Sequence, residues 1–181
     1  MEQYEYSEDK KKIISCKTDG CRVEIPEGVE VIGEGAFQDN DTIEEVVFPS
    51  TLRKIGKEAF SDCSGLKKIH IPASVEEIRG FAFGDCDSLR EVEFDDLPDD
   101  MARSVFDDCD DLRTIIVPDG MAKDFRKALH LGHDGDFLVV QKDSPNAPGN
   151  APKDEKEYKE KKAKADKKKD KKDKKDKKDK K

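Results

Sequence analysis

A period of 23 residues runs through the middle of this chain and constrains its fold more than any other feature. Apolar residues recur at that spacing, without an insertion, over four consecutive units. One column of the repeat consists of Val23, Val46, Ile69, Val92 and Ile115. A unit this short cannot bury its own apolar face, whereas stacked units cover one another. The repeat therefore predicts a solenoid in which each unit is one coil.

Each unit carries three local patterns. The first is Val-x-Ile-Pro, as at 23–26, whose alternation is typical of a short strand that proline ends. The second is Val-x-x-Ile-Gly, as at 29–33, which predicts another short extended or turning segment. The third is Glu-Ala-Phe-x-Asp, as at 58–62. It predicts a single helical turn with Ala and Phe facing inward, and an Asp suited to a left-handed backbone conformation.

The fourth unit departs from this pattern. Its residue Asp95 stands in a column that is otherwise made of prolines, at positions 26, 49, 72 and 118. The sequence over 97–104 also replaces the Val-x-x-Ile-Gly segment. We expect the inner geometry of this unit to differ while the unit keeps its place in the stack.

These columns resemble the BspA-like branch of the leucine-rich repeat family. The stretches that carry the resemblance are IPEGVEVIGEGAFQDNDTIEEVVFPS, FPSTLRKIGKEAFSDCSGLKKIHIPAS and IPASVEEIRGFAFGDCDSLREVEF. The resemblance implies an α/β leucine-rich-repeat right-handed solenoid with short strands and single helical turns. It also implies a protein-binding role, and some members of the family are described as surface adhesins. It implies no enzyme activity.

The sequence outside the repeat predicts end caps and a tail, because an uncapped solenoid exposes apolar surface at both ends. Residues 119–129 predict a helix and 137–140 a last strand. The predicted segments are an N-terminal cap (1–22), the solenoid (23–118), a C-terminal cap (119–143), a linker (144–152) and a disordered Lys-rich tail (153–181).

Charge is distributed unevenly between the body and the tail. Residues 153–181 contain 17 Lys and 9 Asp or Glu, whereas residues 1–152 contain 18 Lys or Arg and 34 Asp or Glu. The tail has no apolar face and cannot offset the entropy of ordering. Three roles for it stay open: solvation, contact with a polyanion (nucleic acid, anionic lipid or wall polymer), and docking on the acidic body.

Catalytic and metal-binding motifs are not recognisable, so the sequence predicts no enzyme, no cofactor and no metal site. Cys63, Cys86 and Cys109 share one repeat column and are interpreted as buried thiols. Cys16 and Cys21 flank a turn and could pair or stay free. The stretch with His130, His133, Asp134 and Asp136 contains two glycines and is interpreted as a solvated connection rather than a metal site.

The strand face is the best candidate site, because stacked coils align their outward residues into columns. The candidate partner-binding residues are Glu45, Lys68, Glu91 and Thr114 in one column and Val47, His70, Glu93 and Ile116 in the next. A merely solvated sheet face is the alternative interpretation. The expected partner is an unidentified protein, and a monomer is favoured.

The expected location is the cytoplasm. The first residues show no secretory signal, the cysteine count is odd, and no apolar run approaches the roughly 18 residues that span a bilayer. The family resemblance leaves the cell surface as the alternative.

Overall fold

The computed structural model describes residues 3–130 and 138–141 of the chain. These residues form twelve strands and one helix. In chain order they are β1 (Gln3–Tyr6), β2 (Lys12–Lys17), β3 (Arg22–Glu24), β4 (Val31–Ile32), β5 (Glu45–Val47), β6 (Lys54–Ile55), β7 (Lys68–Ile71), β8 (Glu77–Ile78), β9 (Glu91–Phe94), β10 (Asp100–Met101), β11 (Thr114–Val117), α1 (Ala122–Ala128) and β12 (Leu138–Gln141).

The strands assemble into two six-stranded sheets. Sheet A has the order β1-β2-β4-β6-β8-β10, and sheet B has the order β3-β5-β7-β9-β11-β12. The β1–β2 pair is antiparallel, and the other strand pairs of the described residues are parallel. Val46 lies opposite Val23 on one side and Ile69 on the other, so a step of 23 residues is one step across the sheet. The predicted leucine-rich-repeat solenoid is confirmed.

A continuous apolar core lies between the two sheets. Its centre is a stack of four rings: Phe37–Phe60, Phe60–Phe83 and Phe83–Phe106 have centroid distances of 4.7, 5.4 and 5.8 Å, with planes within 15° of one another. The first three rings are fully buried. Removing such large side chains from water is the main favourable contribution to folding. One column of the sequence thus becomes one stack in space.

The segment predicted as a helical turn is a tight turn of another kind. The Ala59 N–H donates to the Gly56 carbonyl, three residues back, at 3.4 Å. The next amide, that of Phe60, donates instead to the Ala82 carbonyl of the following coil at 2.8 Å. Glu58 also has a positive φ of 54°. An α-helical turn does not form here because alternate amides of the segment, those of Glu58 and Phe60, donate to the following coil.

The aspartate column takes the backbone conformation that the sequence indicated. Asp39, Asp62, Asp85 and Asp108 have φ values between 55° and 59°. Short polar side chains tolerate this left-handed region better than branched or bulky ones. The prediction for this column is confirmed, and the chain reverses at the same point in each coil.

Glycine is required at the neighbouring corner for a different reason. A Cβ on Gly56 would lie 2.7 Å from the carbonyl carbon of Gly33 in the preceding coil. The two backbones approach each other so closely that a side chain does not fit between them.

Both ends of the core are covered by aromatic side chains. Tyr4 of β1 packs edge-on against Phe37, with a centroid distance of 6.4 Å. At the other end the buried Phe125 of α1 lies 4.8 Å from Phe94. The helix and last strand expected near 119–129 and 137–140 are found as α1 and β12. The linker and the tail lie outside the described residues.

Candidate functional site

The outward face of sheet B is formed by alternate residues of its strands. In β7, Ile69 and Ile71 point into the core, whereas Lys68 and His70 are exposed. The same alternation makes Glu45, Val47, Glu91 and Glu93 accessible to different degrees. Val47 is 37% exposed, which is high for a large apolar side chain. Six of the eight predicted partner-binding residues therefore lie on a solvent-accessible face.

The other two predicted residues are not accessible, and their assignment to an exposed surface is wrong. Thr114 is 3% and Ile116 is 0% exposed. Ile116 lies opposite Val140 of β12, and the two side chains form a small apolar cluster of their own. The alternation of outward residues continues into β11, but at this end of the sheet the outer face is covered. Sequence periodicity gives the direction of a side chain and does not reveal what packs on it.

Charges alternate in sign along the first column of this face. Arg22 pairs with Glu45 at 2.8 Å, and Lys68 pairs with Glu91 in the next two coils. The pKa of Arg22 is raised, first by its hydrogen bond to Glu24 and then by the charge of Glu45. Exposed pairs of this kind contribute little to stability because solvent screens them. Opposite charges directly across neighbouring strands also favour this register over a shifted one.

Sheet A carries the same kind of ladder on its outer face. Lys54 pairs with Glu77 at 2.7 Å, and Arg53 pairs with Glu76 at 3.0 Å. Ion pairs between successive coils occur on the outer faces of both sheets. The pairs alone therefore do not identify sheet B as a binding surface. They make sheet A a matched control for experiments on sheet B.

A shallow groove lies on the sheet B face. It has a volume of about 350 Å³ and crosses β3, β5 and β7. Its lining includes Cys21, Arg22, Glu45, Lys68 and His70. The groove thus presents positive and negative charges and an imidazole.

His70 lies at the edge of that groove in a cluster with two carboxylates. It is directly opposite Glu93 in the parallel pairing of β7 and β9. Its Nε2 lies 2.9 Å from Oδ2 of Asp95. One ligand atom from each of His70, Glu93 and Asp95 can be chosen so that all three lie within 4.8 Å of one another. Sequence inspection placed His70 and Glu93 on this face and missed Asp95.

The cysteine column is buried, as predicted for Cys63 and Cys86, and half-buried at Cys109. The three thiols donate to the carbonyls of Phe37, Phe60 and Phe83 at 3.3, 3.2 and 2.9 Å. Burial raises the pKa of Cys63 to about 12. The pKa of Cys86 is also raised, first by its hydrogen bond with Cys109 and then by burial.

The thiols of Cys63 and Cys86 are therefore protonated near neutral pH and act as small core residues. In the structure the five cysteines, Cys16 and Cys21 included, form no disulfide bond with one another.

The aspartate column creates a line of like charges at the turn edge. The pKa of Asp85 is raised, first by desolvation and then by repulsion from Asp62 and Asp108 in the adjacent coils. This line is a source of destabilisation that the coil geometry imposes.

The histidine-containing connection after α1 is only partly described. His130 is exposed and has a φ of 51°, whereas His133, Asp134 and Asp136 lie outside the described residues. Within the described ranges, no helix is long and apolar enough to cross a membrane.

Comparison with known proteins places this architecture in context. Residues 15–128 match the family model described as BspA type leucine rich repeat region, in six copies. No curated protein matches the sequence.

Solved structures similar to this chain include three leucine-rich repeat proteins. A leucine rich cell surface protein from Faecalibacterium prausnitzii has a TM-score of 0.55 and 20% identity, over 71% of this chain and 41% of that one. The T. pallidum leucine rich repeat protein has a TM-score of 0.42 and 23% identity, over 83% and 80% of the two chains. A leucine-rich repeat protein from Bacteroides ovatus has a TM-score of 0.33 and 20% identity, over 69% and 46%. The chain thus spans less than half the length of the F. prausnitzii protein, and that likeness is one of fold.

Proposed function

The chain belongs to the BspA-type leucine-rich repeat family, and from this premise we propose that it is a non-enzymatic scaffold that binds a protein partner on the outer face of sheet B. The observation that carries the proposal is the exposed Val47 on the same face as a groove lined by charges. Solenoids use such extended surfaces for recognition. An apolar contact surrounded by charged groups is the usual composition of a transient protein interface.

The chemistry of the described side chains supports binding rather than catalysis. Repeat scaffolds of this family are typically non-enzymatic. The buried thiols of Cys63 and Cys86 have raised pKa values, so they do not supply a thiolate nucleophile near neutral pH.

The test compares two charge reversals that break equivalent ion pairs on opposite faces. Lys68→Glu removes the pair with Glu91 on sheet B, and Lys54→Glu removes the pair with Glu77 on sheet A. The tagged full-length chain and both variants are used to capture protein from cells. The captured partner is then purified, and its affinity is measured by calorimetry. Val47→Asp serves as a third variant on the binding face.

We expect Lys68→Glu and Val47→Asp to bind the partner at least about tenfold more weakly, because they place unmatched charge in the interface. Lys54→Glu should bind as the parent does. Melting temperatures should fall by similar small amounts in both charge-reversal variants. Equal affinity of the parent and of all three variants would remove sheet B as the binding surface.

A polyanion binder driven by the Lys-rich tail is the second candidate, favoured by the 17 lysines among residues 153–181. Lysines that neutralise phosphates release counterions, so binding to a nucleic acid weakens steeply as salt rises. Truncation after residue 152 separates the two proposals. The scaffold keeps its protein partner after truncation, whereas the polyanion binder loses both its affinity and its salt dependence.

For location we propose the cytoplasm, since five cysteines that form no disulfide bond with one another suit a reducing compartment. The alternative is a cell-surface adhesin. The cell surface is the location that the name of the F. prausnitzii protein gives for that protein. Labelling intact cells with a membrane-impermeant amine reagent distinguishes the two. A labelled chain on intact cells would establish the surface location.

A further inference from the structure

We propose that His70, Glu93 and Asp95 form a binding site for a divalent first-row transition metal ion on the sheet B face. The proposal rests on how the coils bring these three side chains together and goes beyond partner binding. It concerns one junction, between the coil of β7 and the coil of β9.

The fold places the three residues side by side for reasons visible in the backbone. The register of β7 and β9 sets His70 directly opposite Glu93. Asp95 follows two residues later, so along an extended chain it lies on the same side as Glu93. Its position is the one that proline occupies in the other coils. The Asp95 N–H donates to the Ile71 carbonyl at 3.0 Å, a bond that proline cannot make.

That extra bond continues the pairing of β7 and β9 to Asp95 and holds it beside His70. The departure of the fourth unit from the repeat is therefore the change that completes the cluster. The column that contains His70 and Glu93 and the column that contains Asp95 hold other residues in the remaining coils. These residues are Glu24 and Pro26, Val47 and Pro49, and Ile116 and Pro118. Within the described repeat, no other junction between coils presents an imidazole with two carboxylates.

The distances suit a metal ion. Metal–nitrogen and metal–oxygen bonds of about 2.0–2.2 Å place neighbouring ligand atoms about 3 Å apart. His70 Nε2 and Asp95 Oδ2 are already 2.9 Å apart, and one ligand atom from each of the three residues can be chosen so that all three lie within 4.8 Å of one another. The side chains of His70 and Asp95 are 50% and 33% exposed, so an ion can reach both of them from solvent. Solvent can supply the remaining ligands.

The ligand set selects the class of ion. Imidazole is a ligand for zinc, copper, nickel and iron, whereas calcium and magnesium prefer sites made of oxygen alone. Two carboxylates and one neutral imidazole offset the charge of a divalent cation. Three protein ligands with an open position are also the arrangement in which zinc retains a water molecule.

The test is calorimetric titration of the full-length chain with Zn²⁺, and the ligand-removing variants are His70→Gln and Asp95→Asn. Asp95→Asn keeps the N–H that pairs with Ile71 and removes only the carboxylate. The controls are Asp99→Asn, an exposed carboxylate in the same coil, and Cys21→Ser, which removes the thiol that also lines the groove.

We expect one Zn²⁺ per chain in the parent and in both controls. Binding in His70→Gln and in Asp95→Asn should be at least about tenfold weaker, since even the loss of a group that only hydrogen-bonds to a metal ligand costs about 10–100-fold in affinity. Asp95→Pro, which restores the residue of the other coils, should behave like Asp95→Asn and remain folded.

Co²⁺ absorption gives an independent reading of the ligands. The proposal predicts a bound spectrum without a thiolate charge-transfer band, and that spectrum should be absent in His70→Gln. Equal Zn²⁺ affinity in the parent and in His70→Gln, or a thiolate band that Cys21→Ser abolishes, would overturn the proposal. Neither result bears on partner capture through Lys68 and Val47, so the two proposals fail separately.

Discussion

Replacing Phe60 by alanine is the sharpest perturbation of the stacked core. Its ring is fully buried and lies between the rings of Phe37 and Phe83, 4.7 and 5.4 Å away, with Phe48 edge-on at 5.8 Å. The substitution removes contacts across two coil interfaces at once. Burial of a large aromatic side chain sets the cost at about 3–5 kcal/mol in the free energy of unfolding. Domains of this size have a total of about 5–15 kcal/mol, so the loss is a large fraction.

Urea unfolding followed by far-ultraviolet circular dichroism measures this loss as a shift of the midpoint. Phe48→Ala is the matched control, because its ring is only half-buried, and we expect it to cost about 1 kcal/mol. Phe60→Leu keeps most of the side-chain volume and should lower the free energy of unfolding by about 1 kcal/mol. This variant allows the loss of stability to be measured even if the alanine variant is unfolded. A Phe60→Ala variant no less stable than Phe48→Ala would refute the stacking argument.

Three further outcomes follow from the same geometry. Asp85→Asn should raise the melting temperature slightly at neutral pH, because the raised pKa of Asp85 means that its ionised form destabilises the folded state. As the pH falls through that pKa, the native carboxyl is protonated, and the difference in melting temperature between the parent and the variant should vanish. An alkylating reagent at pH 8 should modify the exposed Cys21 in the native chain, whereas Cys63, whose pKa burial raises to about 12, should react only in denaturant. Gly56→Ala should lower the free energy of unfolding by about 1–3 kcal/mol, since its Cβ would lie 2.7 Å from a backbone carbon of Gly33.

Each of these outcomes has a plain contradiction. A stabilisation by Asp85→Asn that persists at acidic pH would show that the charge of Asp85 is not its cause. Modification of native Cys63 at the rate of Cys21 would show that its thiol is accessible. A neutral effect of Gly56→Ala in urea unfolding would mean that adjacent coils can separate at little cost.

The architecture was predictable from the sequence because one period governs it. A spacing that aligns Val23, Val46 and Ile69 in the sequence also makes them neighbours across sheet B. The left-handed aspartates were predictable for the same reason. The tight turn around Ala59 was not, because residue type does not reveal that the amides of Glu58 and Phe60 donate to carbonyls of the following coil.

The candidate site was only partly predictable. Alternation along the strands identified the outward columns, and it correctly indicated the exposed Val47 and His70. It failed at Thr114 and Ile116, which are buried although they stand in the outward columns; Ile116 packs with Val140 of β12, which lies outside the repeat. The contribution of Asp95 had a visible signal, the break in the proline column, but its proximity to His70 depends on a hydrogen bond that only the structure shows.

The most direct test of the stacked coils is a nuclear Overhauser spectrum of the isotope-labelled chain, recorded on its phenylalanine rings. The structure predicts cross-peaks between Phe37 and Phe60 and between Phe60 and Phe83, and none between Phe37 and Phe83, which are two coils apart. A direct cross-peak between Phe37 and Phe83, or the loss of both adjacent ones, would contradict the 23-residue coil on which the fold and both proposed sites depend.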